Sequence, residues 1–145
     1  MKQKVLFLCT ANSARSQMAE AFLRRYAPDR FEAYSAGLEP KEINPLTKQV
    51  MSEVGIDISG QRSKPLSEYM GKVHFGYLVT VCSQADEKCP STFPGMGRRI
   101  RWNFEDPTAF VGTAADKLNK FREIRDQIKN TILEWVDQQS RLTPE

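Results

Sequence analysis

The sequence predicts an α/β fold: one domain over residues 1–145, with a four-stranded parallel sheet and helices on both faces. Three observations lead there. Strand-like apolar runs alternate along the chain with segments of helical periodicity. The first run, Val5-Leu6-Phe7-Leu8, is continuous rather than alternating, as in strands covered on both faces of a parallel sheet. The chain of 145 residues, 40% apolar and 27% charged, suffices for one full core and shows no repeat, low-complexity tract or linker.

Residues 4–8 form the first strand. Over 16–26, Met18, Ala19, Ala21, Phe22 and Leu23 give a helical stripe that opens near Arg15 and ends before Pro28. Residues 31–35 read as a second strand, closing at Gly37. A helix follows over 44–55, started by Asn44 as cap with Pro45 in its first turn and stopped by Gly55. A short helix is expected over 63–70, a buried strand over 76–81 and a fourth, short strand over 99–102. Over 116–138, Leu118, Phe121, Ile124, Ile128, Ile132 and Trp135 recur at helical spacing, which makes a long amphipathic helix whose stripe is core. The tail, 140–145, is expected to fray.

A net charge of +3 suits an anionic substrate and is too small and dispersed for nucleic acid. No apolar stretch reaches transmembrane length. The apolar segment behind Lys2 and Lys4 is too short for a signal peptide, and Asn12 and Arg15 follow at once. A cytoplasmic monomer with no membrane partner is expected. The three cysteines, Cys9, Cys82 and Cys89, are an odd number and point to reduced or redox-active thiols rather than a disulfide framework. Their spacing suits no zinc knuckle and His74 is the one histidine, so no metal site is expected.

In open α/β sheets ligands bind beyond the carboxyl ends of the strands. Cys9 follows the first strand, Cys82 the strand at 76–81, and Asp106-Pro107 the strand at 99–102, so three capable groups meet at one edge. The segment Cys9-Thr10-Ala11-Asn12-Ser13-Ala14-Arg15-Ser16 delivers a thiol into a turn that opens onto a helix. Backbone N–H groups and the positive end of the helix dipole favour a tetrahedral oxyanion there. The same field is expected to lower the Cys9 pKa and populate the nucleophilic thiolate. Arg15 offers a bidentate fork to an oxyanion, and Ser16 a hydrogen bond to the thiolate. Asn12 either holds the loop through backbone groups or simply forms the turn. The loop lacks glycine, so Asn12 is the residue expected in the left-handed region. A departing oxygen needs a proton. Asp106 and Glu105 both offer one, although an Asp-Pro pair by itself reads as a turn.

Residues 9–20 resemble the phosphate loop of the low-molecular-weight protein tyrosine phosphatases and of the arsenate reductases that share their fold. Asp106-Pro107 resembles the pair that supplies the general acid there, which favours Asp106 over Glu105. Ser35-Ala36-Gly37 and Gly55-Ile56-Asp57-Ile58-Ser59 belong to the same resemblance, which runs from residue 4 to the last helix. The segment from Val81-Cys82 to Cys89-Pro90 is similar to the redox segment of thioredoxin-coupled arsenate reductases; phosphatases of this family need no further thiols.

The resemblance implies a phosphatase-like fold and a defined relay. Cys9 attacks arsenate, which is held by the loop Thr10, Ala11, Asn12, Ser13, Ala14, Arg15 and Ser16 while Asp106 protonates the leaving oxygen. Cys82 then attacks the Cys9 sulfur and expels arsenite. Cys89 attacks Cys82, and thioredoxin, an external reductant in place of any bound cofactor, reopens the Cys82–Cys89 bond. Phosphate and sulfate are the competing oxyanions. Three thiols are what two successive exchanges require. A helix over 83–89 would set residues seven apart about 10.5 Å apart along its axis, whereas disulfide Cα atoms lie within about 4.4–6.8 Å. The segment is therefore expected to be a loop or a helix that unwinds, with oxidation remodelling residues 82–95.

The chain also departs from its relatives. Ala14 stands where many carry a cysteine, so that thiol is dispensable. Some arsenate reductases hold potassium with groups equivalent to Asn12, Glu20, Ser35 and an aspartate; here Lys64 stands at the aspartate, its ammonium is expected to pair with Glu20, and no potassium is expected. The aromatic wall of a phosphotyrosine cleft has no match at Thr108-Ala109. Two alternatives remain: a phosphatase acting on phosphate monoesters, which Cys82→Ser would spare, and a non-catalytic thiol sensor or oxyanion-binding module, for which Asp106 has no task.

Overall fold

The computed structural model describes residues 2–82 and 96–142. Four parallel strands, β1 (Gln3–Cys9), β2 (Phe31–Gly37), β3 (Phe75–Thr80) and β4 (Met96–Arg101), pair in the order β2-β1-β3-β4. Around them lie α1 (Arg15–Tyr26), α2 (Pro45–Glu53) and α3 (Ala114–Leu142), with 3-10 turns at Leu66–Glu68 and Pro107–Ala109. Val5, Leu6, Phe7 and Leu8 are all fully buried. Four consecutive strand residues are buried together only when both faces of the strand are covered.

The strand order positions the site. From β1 the chain moves to β2 on one side, then returns to β3 on the other. The crevice at the carboxyl ends of β1 and β3 is therefore the topological switch point, where open α/β sheets bind ligands. Cys9 is the last residue of β1, paired with Gly37 of β2. Val81 extends β3 by donating to the Leu8 carbonyl at 3.0 Å, which leaves Cys82 at the same end.

α2 begins as its sequence requires: the Asn44 side chain accepts from the Leu46 N–H at 2.9 Å, and Pro45 takes the first turn, where its missing N–H costs nothing. α3 starts two residues earlier than its apolar stripe suggests. Thr113 Oγ1 accepts from the Asp116 N–H, and Asp116 Oδ2 from the Thr113 N–H, a reciprocal capping box. Phe121, Ile124, Ile128, Ile132 and Trp135 of α3 are buried. The Trp135 ring lies 5.0 Å from Phe31, 5.1 Å from Tyr77 and 6.2 Å from Trp102, so one indole ties the helix to β2, β3 and the end of β4.

Three expectations need correction. The short helix over 63–70 reduces to one 3-10 turn, Leu66–Glu68. Its first half is committed elsewhere, because the Lys64 N–H donates to Asn12 Oδ1, the Lys64 carbonyl accepts from Gly37, and Pro65 bridges to Gly37. The expected fraying from Ser140 does not occur within the described residues, where α3 runs to Leu142; Arg30 donates to Ser140 Oγ at 2.6 Å, and Arg141 pairs with Asp137 at 3.0 Å. β4 opens at Met96, not Arg99, since pairing with β3 begins at Phe75. Cys89 and most of the segment expected to remodel, 83–95, lie outside the described residues.

Candidate active site

The backbone of residues 9–15 forms a cradle whose orientation follows from its hydrogen bonds. Six successive carbonyls, from Cys9 to Ala14, bond to the surrounding scaffold. The Cys9, Thr10 and Ala11 oxygens accept from the N–H groups of Leu38, Glu39 and Lys41. Asn12 O accepts from Gln17 Nε2 at 3.0 Å. Ser13 O takes the Asn44 N–H and the Thr47 hydroxyl, and Ala14 O the Met18 N–H. A planar trans peptide sets its N–H opposite its C=O. The amides of residues 10–15 therefore turn toward the inside of the loop, and the Asn12 N–H reaches Cys9 Sγ at 3.1 Å.

Ala14, at the N-cap of α1, supplies no side-chain oxygen, and the first turn carries no acid. The positive helix end thus stays available to an anion instead of being capped from within. Asn12 occupies the left-handed region, φ 52°, as its place in a glycine-free loop predicts. Gly37 is needed for close approach: a Cβ there would stand 2.8 Å from the Thr10 carbonyl and 2.9 Å from the Asn12 nitrogen.

Cys9 is buried, with its sulfur 2.8 Å from Ser16 Oγ. The expected lowering of its pKa is reversed. Burial pushes the Cys9 thiol above its ordinary 9.0, because removing the thiolate from water outweighs the Ser16 hydrogen bond, the Arg15 charge and the Asn12 amide that oppose it. The loop thus aims the Ser16 hydroxyl, the Arg15 charge and the Asn12 amide at the sulfur, where each opposes the effect of burial.

Arg15 is pinned by Nη1, which donates to the Phe104 carbonyl at 3.0 Å, and its Nη2 lies 3.6 Å from Asp106 Oδ2. Asp106 is oriented by Thr108, whose N–H and hydroxyl donate to Oδ1 at 2.9 and 2.6 Å. Glu105, the rival carboxylate, pairs instead with Lys120 at 3.3 Å. Asp106 borders a cleft of about 430 Å³ with Cys9 at its lining and Arg15 on its wall; Glu105 does not. Cys82 is also buried, and its sulfur is 3.7 Å from the hydroxyl of Thr10, the residue after Cys9. Cys9, Arg15, Asp106 and Cys82 are thus gathered at one end of the sheet.

Sequence reasoning missed the opposite wall of the cleft, formed by Lys41, Glu42 and Asn44. The Asn44 cap was legible as a helix start; its second task, donating to Ser13 O, depends on a tertiary approach that no local pattern records. A neighbouring hollow of about 520 Å³ shares Lys41 and Glu42 and runs past Lys48 and Arg62, away from either thiol. Behind the loop, Lys64 Nζ lies 3.8 Å from Glu20 Oε1 and 3.4 Å from Ser35 Oγ, and donates to the Arg62 carbonyl at 2.6 Å. Desolvation pulls the Lys64 pKa down, and Glu20 opposes that shift. The Lys64 ammonium thus fills the space beside Glu20 and Ser35. Among the described residues, no cluster of three or more His, Cys, Asp or Glu side chains is placed to hold a metal, and no helix is long and apolar enough to cross a membrane.

Comparison with known proteins agrees with this geometry. The family model described as low molecular weight phosphotyrosine protein phosphatase matches residues 4–143. The arsenate reductase of Bacillus subtilis (strain 168) is 41% identical over 139 residues, 94% of this chain and 98% of its own length. An arsenate reductase solved in the phosphate binding state superposes with a TM-score of 0.75 at 32% identity, over 95% of this chain and 98% of its own. A thioredoxin-dependent arsenate reductase of Corynebacterium glutamicum matches with a TM-score of 0.60 at 28% identity, over 91% of this chain and 62% of its own.

Proposed function

The chain belongs to the low molecular weight phosphotyrosine protein phosphatase family, and on that premise we propose that it reduces arsenate to arsenite by a thiol relay that thioredoxin resets. The observation that carries this reading is the buried Cys82 thiol, 3.7 Å from the hydroxyl of Thr10 at the oxyanion loop. A phosphate-ester hydrolase has no step for a second thiol there, whereas a reductase that resolves its adduct with its own thiols needs one.

The steps balance. Arsenate enters the cradle as an oxyanion, held by the inward amides and by the Arg15 guanidinium. The Cys9 sulfur attacks arsenic, and one oxygen departs as water, protonated by Asp106. The net reaction is a condensation in which the thiol proton leaves in that water. Ser16, Asn12 and Arg15 stabilise the charge that the sulfur carries during attack. Cys82 then attacks the Cys9 sulfur. The sulfur–sulfur bond forms, the sulfur–arsenic bond breaks, and its electron pair leaves on arsenic as arsenite, which takes the Cys82 proton. Cys89 attacks Cys82 and releases Cys9, and the resulting Cys82–Cys89 disulfide is reduced by the dithiol of thioredoxin. No step passes through potassium, because Lys64 supplies the positive charge behind the loop.

The enzyme acts in this reading as a cytoplasmic monomer, with phosphate and sulfate competing for the cradle. Purified protein is expected to consume NADPH with arsenate in the presence of thioredoxin and thioredoxin reductase, and to turn over far more slowly with glutaredoxin and glutathione. Cys82→Ser is expected to abolish multiple turnover of arsenate while leaving slow aryl phosphate cleavage intact. Sustained arsenate turnover by that variant would refute the relay.

A further inference from the structure

Behind the nucleophile lies a buried chain of amides that the proposed chemistry does not use. Gln17, in the first turn of α1, is fully buried. Its Nε2 faces three oxygens: Asn12 O at 3.0 Å, Asn12 Oδ1 at 3.0 Å and Arg62 O at 2.9 Å. Two of these are main-chain carbonyls, which only accept, so the nitrogen end of the carboxamide must face them. Its Oε1 accepts from Gln61 Nε2 at 2.7 Å. Asn12 Oδ1 also accepts from the Lys64 N–H at 2.9 Å, a main-chain donor, which fixes the Asn12 carboxamide in turn. Asn12 Nδ2 then donates to Ser16 Oγ at 2.8 Å and to Ser35 Oγ at 3.0 Å, and Ser35 passes its own proton to Glu20 Oε1 at 2.6 Å. Ser16, having accepted from Asn12, has a single proton, and Cys9 Sγ lies 2.8 Å away to take it.

We infer that Gln17 is a positioning residue for the reaction at Cys9: its carboxamide fixes that of Asn12, and Asn12 in turn directs the Ser16 hydroxyl to donate to the Cys9 sulfur. The inference rests on the reading of Cys9 as the nucleophile. Both carboxamides are oriented by backbone groups that cannot reverse their roles, and Ser16 takes its direction from Asn12, so the polarity of the chain is set from the scaffold. The same carboxamide holds both oxygens of Asn12, whose left-handed backbone persists only where its surroundings over-determine it. The Ser16 hydroxyl, 2.8 Å from Cys9 Sγ, is the contact through which a residue two links away reaches the thiol.

Gln17→Met keeps the length of the side chain and removes its donors. Folding is checked by circular dichroism, and the pH profile of Cys9 alkylation by iodoacetamide is measured beside arsenate kcat and KM. Among the described residues, Arg15 and Asp106, Lys41 and Glu42 at the cleft, and Glu20 and Lys64 behind the loop are the charged groups around Cys9, and all are unchanged in the variant. A hydrogen bond to a charged group is worth about tenfold or more in an equilibrium. The alkylation profile is therefore expected to move to higher pH, with the rate at a fixed pH below the midpoint falling by about tenfold, and kcat falling with it. Gln61→Met, which removes the donor to Gln17 Oε1 and Gln17 O together with the acceptor for Arg24 Nη1, leaves the Gln17 contacts to Asn12 in place and is expected to shift the profile the same way by less; it carries the test if Gln17→Met does not fold. A folded Gln17→Met with an unshifted profile, or an unshifted Gln61→Met when only that variant folds, overturns the inference. Cys9→Ser, run in parallel, separates the two levels: its inactivity upholds Cys9 as nucleophile, and full arsenate reduction by it overturns the reading beneath.

Discussion

Cys9, the nucleophile of the proposed reaction, is buried beside groups that favour its charge. Its pKa lies above the ordinary 9.0 because desolvation outweighs Ser16, Arg15 and the Asn12 amide. The folded protein thus holds this proton more tightly than the unfolded chain. The corresponding stability is complete below about pH 9 and is lost as pH rises through the folded value. Urea midpoints are expected to fall more steeply above that pH in the wild type than in Cys9→Ala; parallel curves would show that the thiol is not shifted. Gly37 gives a second prediction at this scale. Its α-carbon packs on the loop so closely that a methyl group would stand 2.8 Å from the Thr10 carbonyl. Gly37→Ala is expected to displace the cradle, raising KM for arsenate at least tenfold while leaving the far-UV spectrum unchanged.

At the scale of the element, the loop depends on where the flanking helices begin. α1 starts without a capping side chain, so its free N–H groups can serve an anion, whereas α2 starts with a cap that also braces the loop through the Asn44 N–H and Ser13 O. Removing the cap side chain with Asn44→Ala is expected to cost about 1 kcal/mol of unfolding free energy. The measurement is a denaturant titration, and an unchanged midpoint would assign the Leu46 N–H to another acceptor. Much at this scale was legible in the sequence. The continuous run Val5–Leu8 announced a covered strand, and the α3 stripe announced its buried face, since both signals come from periodicity alone. The segment 63–70 was misread for the opposite reason: its backbone is spoken for by Asn12 and Gly37, partners 52 and 27 positions away in the sequence.

At the scale of the whole molecule, the sheet order brings together groups that lie far apart in sequence. Cys9 ends β1, Cys82 follows β3, and Asp106 lies beyond β4, yet all three stand at the carboxyl ends of adjacent strands. If Cys82–Cys89 is the bond that leaves the site, its formation is expected to remodel residues 82–95, because cysteines seven apart meet disulfide geometry only outside a helix. Hydrogen exchange of the reduced and oxidised protein is expected to differ within that segment and to agree over β1 and α3; equal protection throughout would remove the relay's last internal step.

The sequence by itself determined the residue types and their order: a thiol five residues before an arginine at the junction of a strand and a helix, two further thiols, and an Asp-Pro pair. It also determined which residue would turn left-handed, because a glycine-free loop leaves that strain to its asparagine. The resemblance favoured Asp106, and tertiary structure supplied the physical reason: Asp106 meets Arg15 at the cleft whereas Glu105 is drawn off by Lys120. Tertiary structure alone decided the direction of the Cys9 pKa, because desolvation depends on what packs around a sulfur and not on its neighbours in sequence. The line of amides from Gln61 through Gln17 and Asn12 to Ser16 likewise exists only in three dimensions. Local pattern selects chemistry and secondary structure, but burial and the polarity of hydrogen bonds are set by contacts between distant parts of the chain.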